Sequence, residues 1–139
     1  MTAFVIDASV AIKWVIDEPG TQQALLLRQH PLSAPDLLVP ECANILWKKV
    51  RRQELTQDEA ILAAGLLERA DVRLEPMRPL LERATRLAVV LDHPAYDCMY
   101  LALAQHLSCP LVTADERIRR KTASNASAPD VLSLRQFSE

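Results

Sequence analysis

The strongest constraint on this chain is a recurring unit in which a short apolar run stops at a polar group and a helical pattern follows. Phe4-Val5-Ile6 runs into Asp7, and Pro110-Leu111-Val112-Thr113 runs into Ala114-Asp115. Unbroken apolar runs of this length read as strands buried on both faces, because a half-buried strand would alternate. Such strands need helices on both sides, and parallel neighbours need a crossover between them. Shorter strands are expected at residues 33–38, where Pro35 sits awkwardly, at 72–74 and at 131–134. The prediction is an α/β fold of three layers, α/β/α, with a central, mostly parallel sheet.

The helices between these runs carry their own punctuation. Residues 9–16 are expected to be helical and to stop at Glu18-Pro19-Gly20, with Thr21 capping a second helix through residue 29. Pro40 suits the first position of a helix, where its missing N–H costs nothing. Thr56-Gln57-Asp58-Glu59 has the form of a capping box and opens a helix to residue 70. Residues 79–91 and 94–107 are helical, and a short basic helix follows Asp115. No linker divides the 139 residues, so residues 1–139 are read as one domain.

Composition removes several classes of function. No apolar run approaches the roughly 20 residues that span a bilayer, and the opening lacks a basic signal-peptide region. A cytoplasmic protein without membrane contact is expected. Cys42, Cys98 and Cys109 have no CxxC spacing, and His30, His93 and His106 add no zinc pattern. A net charge of −2 means that any polyanion must be held by local basic patches or through a metal ion.

Four acids stand out. Asp7 ends the first strand and Asp115 lies just past a later one, where parallel sheets bind ligands. Glu41 and Asp97 follow Pro40 and Pro94 in the first turns of their helices. Singly, each acid near a helix start can be answering the helix dipole. Together, each adjoins an apolar segment, and carboxylates crowded at a core edge raise one another's pKa unless a cation compensates. Oxygen-only ligation selects Mg²⁺ or Mn²⁺.

These residues also spell a family pattern. Asp7-Ala8-Ser9 resembles the DxS motif of PIN domains, and Glu41-Cys42-Ala43-Asn44 their ExxN motif. The stretch from Tyr96-Asp97 through Tyr100 to Ala104 resembles the YDxxYxALA segment of VapC-type toxins, and Thr113-Ala114-Asp115-Glu116-Arg117 their TADxR segment. The resemblance implies an endoribonuclease of a toxin–antitoxin pair. Asp7, Glu41, Asp97 and Asp115 would be its catalytic metal site, supported by Ser9, Thr113 and Asn44. It also implies RNA as substrate, a cognate antitoxin, and a homodimer. Whether the adjacent Glu116 reaches the metal is left open.

Two basic clusters follow site acids: Lys48, Lys49, Arg51 and Arg52, then Arg117, Arg119, Arg120 and Lys121. Each is either a solvated face or a set of phosphate contacts. Cys42 and Cys98 should turn about 100° away from their acids into the core. Trp14 and Trp47 are expected in core or interface packing, and His93 at a helix start. The apolar residues within 21–38 and 55–70 suit either partner surfaces or plain core. Competing readings are a PIN nuclease of RNA maturation, an inactive binding module, and a phospho-acceptor receiver domain. The last needs an acidic pair beside the first strand and a lysine after a later one, and the Phe4-Val5-Ile6-Asp7 opening offers neither arrangement nearby.

Overall fold

A computed structural model describes residues 2–137. Strand β1 (Phe4–Ile6) and strand β4 (Leu111–Thr113) are buried at every position. Successive side chains on a strand point to opposite faces, so complete burial requires cover on both sides. Beside them lie β2 (Leu32–Pro35), β3 (Arg73–Glu75) and β5 (Val131–Ser133) in the order β3-β2-β1-β4-β5, every pair parallel. The chain lays β1, β2 and β3 outward in one direction, then returns to the other side of β1 for β4 and β5. The order reverses between β1 and β4, and their carboxyl ends form the crevice where such sheets bind ligands.

Seven helices are found among the described residues: α1 (Ala8–Ala11), α2 (Thr21–Leu27), α3 (Leu38–Arg51), α4 (Gln57–Glu68), α5 (Leu81–Leu91), α6 (Ala95–Leu107) and α7 (Glu116–Ala123). Helix α6 packs on β1, β2 and β4. Its run from Tyr100 to Ala104 is buried throughout, which is why the sequence there is apolar on every side rather than striped. Helices α3 and α4 meet over a separate small cluster of Ile12, Leu46, Ala60 and Ala63. The predicted capping box is present in full: Thr56 and Glu59 each bond the other's backbone N–H.

Several boundaries differ from expectation. The first helix closes at Ala11 and tightens into a 3₁₀ turn over Ile12–Trp14, well before Glu18, which Pro19 keeps out of helical geometry. Gly20, at φ 96°, occupies the cap position expected of Thr21. Thr21 begins the helix instead, accepting from the Glu18 N–H and donating to the Ile16 carbonyl. Strand β2 stops at Pro35, where the Asp36 N–H takes up the bond to the Glu75 carbonyl. Leu38 then opens α3, placing Pro40 third in the helix, still among the N–H groups that lack a helical partner.

Trp14 packs against the core and donates to the Ala24 carbonyl at 2.7 Å. Trp47 is not core: it is exposed, with the Arg51 guanidinium 5.4 Å over its ring. Cys42 and Cys98 are buried free thiols, as their helical positions required. No helix of the described residues is long and apolar enough to cross a membrane.

Candidate active site

The crevice between β1 and β4 is laced by two hydroxyls. Asp7 caps α1 only through its backbone, which leaves its carboxylate free to face the crevice. Ser9 Oγ donates to Asp7 Oδ1 at 2.5 Å and Thr113 Oγ1 donates to Oδ2 at 2.5 Å. Each hydroxyl also accepts a backbone N–H at 3.0 Å, Ser9 from Ala114 and Thr113 from Asp115. A hydroxyl is the one small group that can donate to a carboxylate and accept from an amide at once. That double duty is the physical content of the DxS and TxD spacings, because it ties the ends of two strands to one carboxylate.

The other acids arrive on helices. Glu41, in the first turn of α3, accepts a short hydrogen bond from the Tyr100 hydroxyl of α6. Asp97, one turn before Tyr100 on α6, lies 2.7 Å from His93 Nε2. Asp115 caps α7, accepting the Arg117 N–H at 2.9 Å and the Arg117 guanidinium at 3.0 Å. Helix capping by a side chain therefore accounts for Asp115 alone; neither Asp7 nor Asp97 caps its helix in this way.

The acids share one electrostatic field. Burial pushes Asp7 up to about 6, against the pull of the Ser9 and Thr113 hydroxyls and with a push from the Asp97 charge. Burial also raises Glu41, the Tyr100 hydroxyl opposes that rise, and Asp97 again adds to it. Asp115 is lowered, chiefly by its hydrogen bond to Arg117, with the nearby His93 contributing. Asp7, Glu41 and Asp97 thus store like-charge repulsion, while Asp115 is already neutralised by a guanidinium.

Among the described residues no three Asp, Glu, His or Cys side chains stand together as a ready metal cage. The reason is visible: each carboxylate is turned to a protein partner. The donor set nonetheless fits a hard divalent ion: it is all oxygen, and Asp7 and Glu41, raised chiefly by burial and further by the Asp97 charge, would be relieved by a cation. Binding one requires some of these carboxylates to exchange protein partners for the ion.

Other expected residues fall around this centre. Asn44 is exposed on α3 and makes no side-chain hydrogen bond among the described residues. Glu116 is turned toward β5, accepting from Ser133 Oγ and Arg119 Nε, both at 2.9 Å. Lys49 is held by Glu18 and Glu54. Burial drives the thiols of Cys42 and Cys98 up to about 12 and about 11, which removes them as thiolate nucleophiles. Sequence reasoning missed the roles of Tyr100, His93 and Arg117. The signal for His93 was its spacing to Asp97, one helical turn apart.

Tyr100→Phe tests the Glu41 contact. With its donor gone, the half-buried carboxylate rises further in pKa, and about 1–3 kcal/mol of stability should be lost at neutral pH. Denaturant titration at pH 7 and at pH 4 checks this, with a smaller loss expected at pH 4, where Glu41 is protonated. An equal loss at both pH values would assign it to packing.

A crevice of carboxylates at the switch point of a parallel sheet defines a three-layer α/β fold with an acidic ligand-binding edge, and comparison with known proteins narrows it. The PIN domain pattern matches residues 4–123, and the chain belongs to that family. It is 31% identical over 123 residues to Ribonuclease VapC12 of Mycobacterium tuberculosis, covering 88% of this chain and 94% of that protein. The fold matches the crystal structure of PAE2754 from Pyrobaculum aerophilum with a TM-score of 0.72 at 21% identity, covering 96% of this chain and 85% of that one. It also matches VapBC2 from Rickettsia felis, solved bound to a DNA fragment from its promoter, with a TM-score of 0.66 at 9% identity, over 95% and 98% of the two chains.

Proposed function

We propose that the protein is a VapC-type toxin endoribonuclease that hydrolyses RNA phosphodiester bonds with Mg²⁺ or Mn²⁺ held by Asp7, Glu41, Asp97 and Asp115. The observation that carries this reading is the shared field of Asp7, Glu41 and Asp97 in a crevice without a competent side-chain nucleophile. The relationship to Ribonuclease VapC12 supports RNA as the substrate. When bound, the ion supplies an activated water and neutralises phosphoryl oxygens.

The chain's own residues supply the rest. Ser9 and Thr113 fix the Asp7 carboxylate between two strand ends, so it needs no reorganisation when substrate arrives. Glu41, raised by burial and oriented by Tyr100, is suited to hold the proton that an attacking water loses. His93 orients Asp97. Because the net charge of −2 gives no general attraction for a polyanion, local basic residues beside the acids hold the substrate phosphates.

The proposed antitoxin and second copy of the chain would cover the apolar side of α3 and α4. Val39, Trp47, Ile61, Leu62 and Leu66 are exposed there, beside a cleft of about 480 Å³ lined by Trp14, Leu38, Leu46 and Leu67. Apolar surface of that extent marks interaction sites. On this reading the protein would act in the cytoplasm.

Purified protein should cleave a short RNA with Mg²⁺ or Mn²⁺ and stop on adding EDTA. Cleavage that continues in excess EDTA, and is absent from a variant purified in parallel, would overturn the metal-dependent mechanism.

A further inference from the structure

Helix α7 is amphipathic in an informative way. Ile118 and Thr122 are buried against the core. Arg117, Arg120, Lys121, Ser124 and Asn125 recur at spacings of three and four, so they form one stripe along the helix and its end. That stripe is one wall of a cleft of about 670 Å³, and the turn from Leu91 to Pro94 with Asp97 is the other. The cleft thus begins at Asp97, the one site acid in its lining, and runs outward along α7 for about 12 Å, at 1.5 Å per residue.

The cations of this stripe differ in availability from the other basic residues. Arg119 points away and is occupied by Glu116. On α3, Lys49 is occupied by Glu18 and Glu54, and Arg51 lies over Trp47. Arg120 and Lys121 pair with no carboxylate among the described residues; Lys121 Nζ reaches only the Asp92 carbonyl at 3.3 Å. At the inner end Arg117 is paired with Asp115, and the Asp97 charge also bears on it. No Phe, Tyr or Trp lines the cleft and the His93 side chain in it is only 9% exposed, so it offers a base no open aromatic platform.

We infer that this cleft is a subsite for the sugar-phosphate backbone of single-stranded RNA, holding the phosphates next to the scissile one. The inference rests on the ribonuclease reading of the acids and deepens it. Arg120 and Lys121 take the flanking phosphates, and Ser124 and Asn125 add hydrogen bonds at the outer end. Arg117 can pass from Asp115 to the strand at the inner end. A cleft with cations and no open stacking surface reads backbone and not sequence, so base preference is set elsewhere.

The test is binding of a labelled single-stranded RNA in EDTA, followed by anisotropy across a salt series. Arg120→Ala with Lys121→Ala should weaken binding roughly tenfold at 0.1 M salt. It should also reduce the slope of log K against log salt by about 1.4, the value for two phosphate contacts on a single strand. Arg83→Ala with Arg86→Ala removes the same charge from α5 and should change neither. Arg120→Lys with Lys121→Arg should restore the slope, and unchanged melting temperatures exclude misfolding.

An unchanged slope in the α7 pair overturns the proposal, as does tighter binding of the duplex form of the same RNA. A slope that falls only in Lys48→Ala with Arg52→Ala places the strand over α3 and also overturns it. Wild-type cleavage in Mg²⁺ is measured alongside. Cleavage with an unaffected α7 pair rejects the subsite alone, whereas α7-dependent binding without cleavage rejects the nuclease reading alone.

Discussion

Asp97→Asn is expected to reduce RNA cleavage by on the order of 100-fold or more while leaving the metal-free protein at least as stable as wild type. Asp97 pushes on both Asp7 and Glu41, so removing its charge at nearly constant shape relieves repulsion in the crevice. An asparagine can still accept or donate one hydrogen bond to His93, whose side chain is only 9% exposed. If the proposed metal site is right, the same change removes a ligand, and Mg²⁺ should then raise the melting temperature of wild type far more than that of the variant. If Asp97 served only the dipole of α6, the pattern would invert: a few tenths of a kcal/mol lost and cleavage intact. Melting curves with and without Mg²⁺, beside one cleavage assay, separate the two. An active Asp97→Asn protein ends the metal-site reading.

Asp7→Asn should show the largest effect of pH on stability. Asp7 titrates near 6 in the folded protein and near its ordinary 3.8 when unfolded. Below pH 4 the group is protonated in both states and costs nothing. Between about pH 4 and 6 the folded state holds a proton that the unfolded state has released, so wild-type stability falls as pH rises. Above 6 the full penalty is present, about 3 kcal/mol for a shift of roughly two units at 1.36 kcal/mol each. Asparagine has no such dependence. The stability of the variant relative to wild type should therefore climb by up to that amount between pH 4 and pH 7 in EDTA. Adding Mg²⁺ at pH 7 should narrow the gap by stabilising wild type alone. A flat difference across this range would mean that Asp7 is not held in a costly environment.

Much of this architecture was legible because it depends on local chemistry. The apolar runs at Phe4 and Leu111 could only be strands buried on both faces, and each ended at a residue suited to a crevice. The Thr56 capping box is written into four consecutive residues and forms as written. Element ends were less legible: Glu18-Pro19-Gly20 marks the latest point at which the first helix can stop, and α1 closes at Ala11, well before it. The acids were identifiable by type and order, but their partners were not. Tyr100 meets Glu41 only because α6 crosses next to α3, and Arg117 folds back on the residue that caps its own helix. The first contact depends on a packing angle that no linear spacing encodes, whereas the second is local, an acid two residues before an arginine at a helix start.

The bond from Thr113 to Asp7 joins residues 106 positions apart, and that separation governs when the crevice can exist. During synthesis the chain can form β1, α1 and the helical pair α3 and α4 from local contacts. Strand β4 must emerge and close against β1 before the carboxylates converge. Loop closure over most of the chain is the slow kind of folding step. Translation proceeds at about 5–20 residues per second, so the nascent polypeptide passes several seconds on the ribosome, close to RNA, without an assembled site. The topology itself keeps the crevice unassembled until the chain has been made through β4.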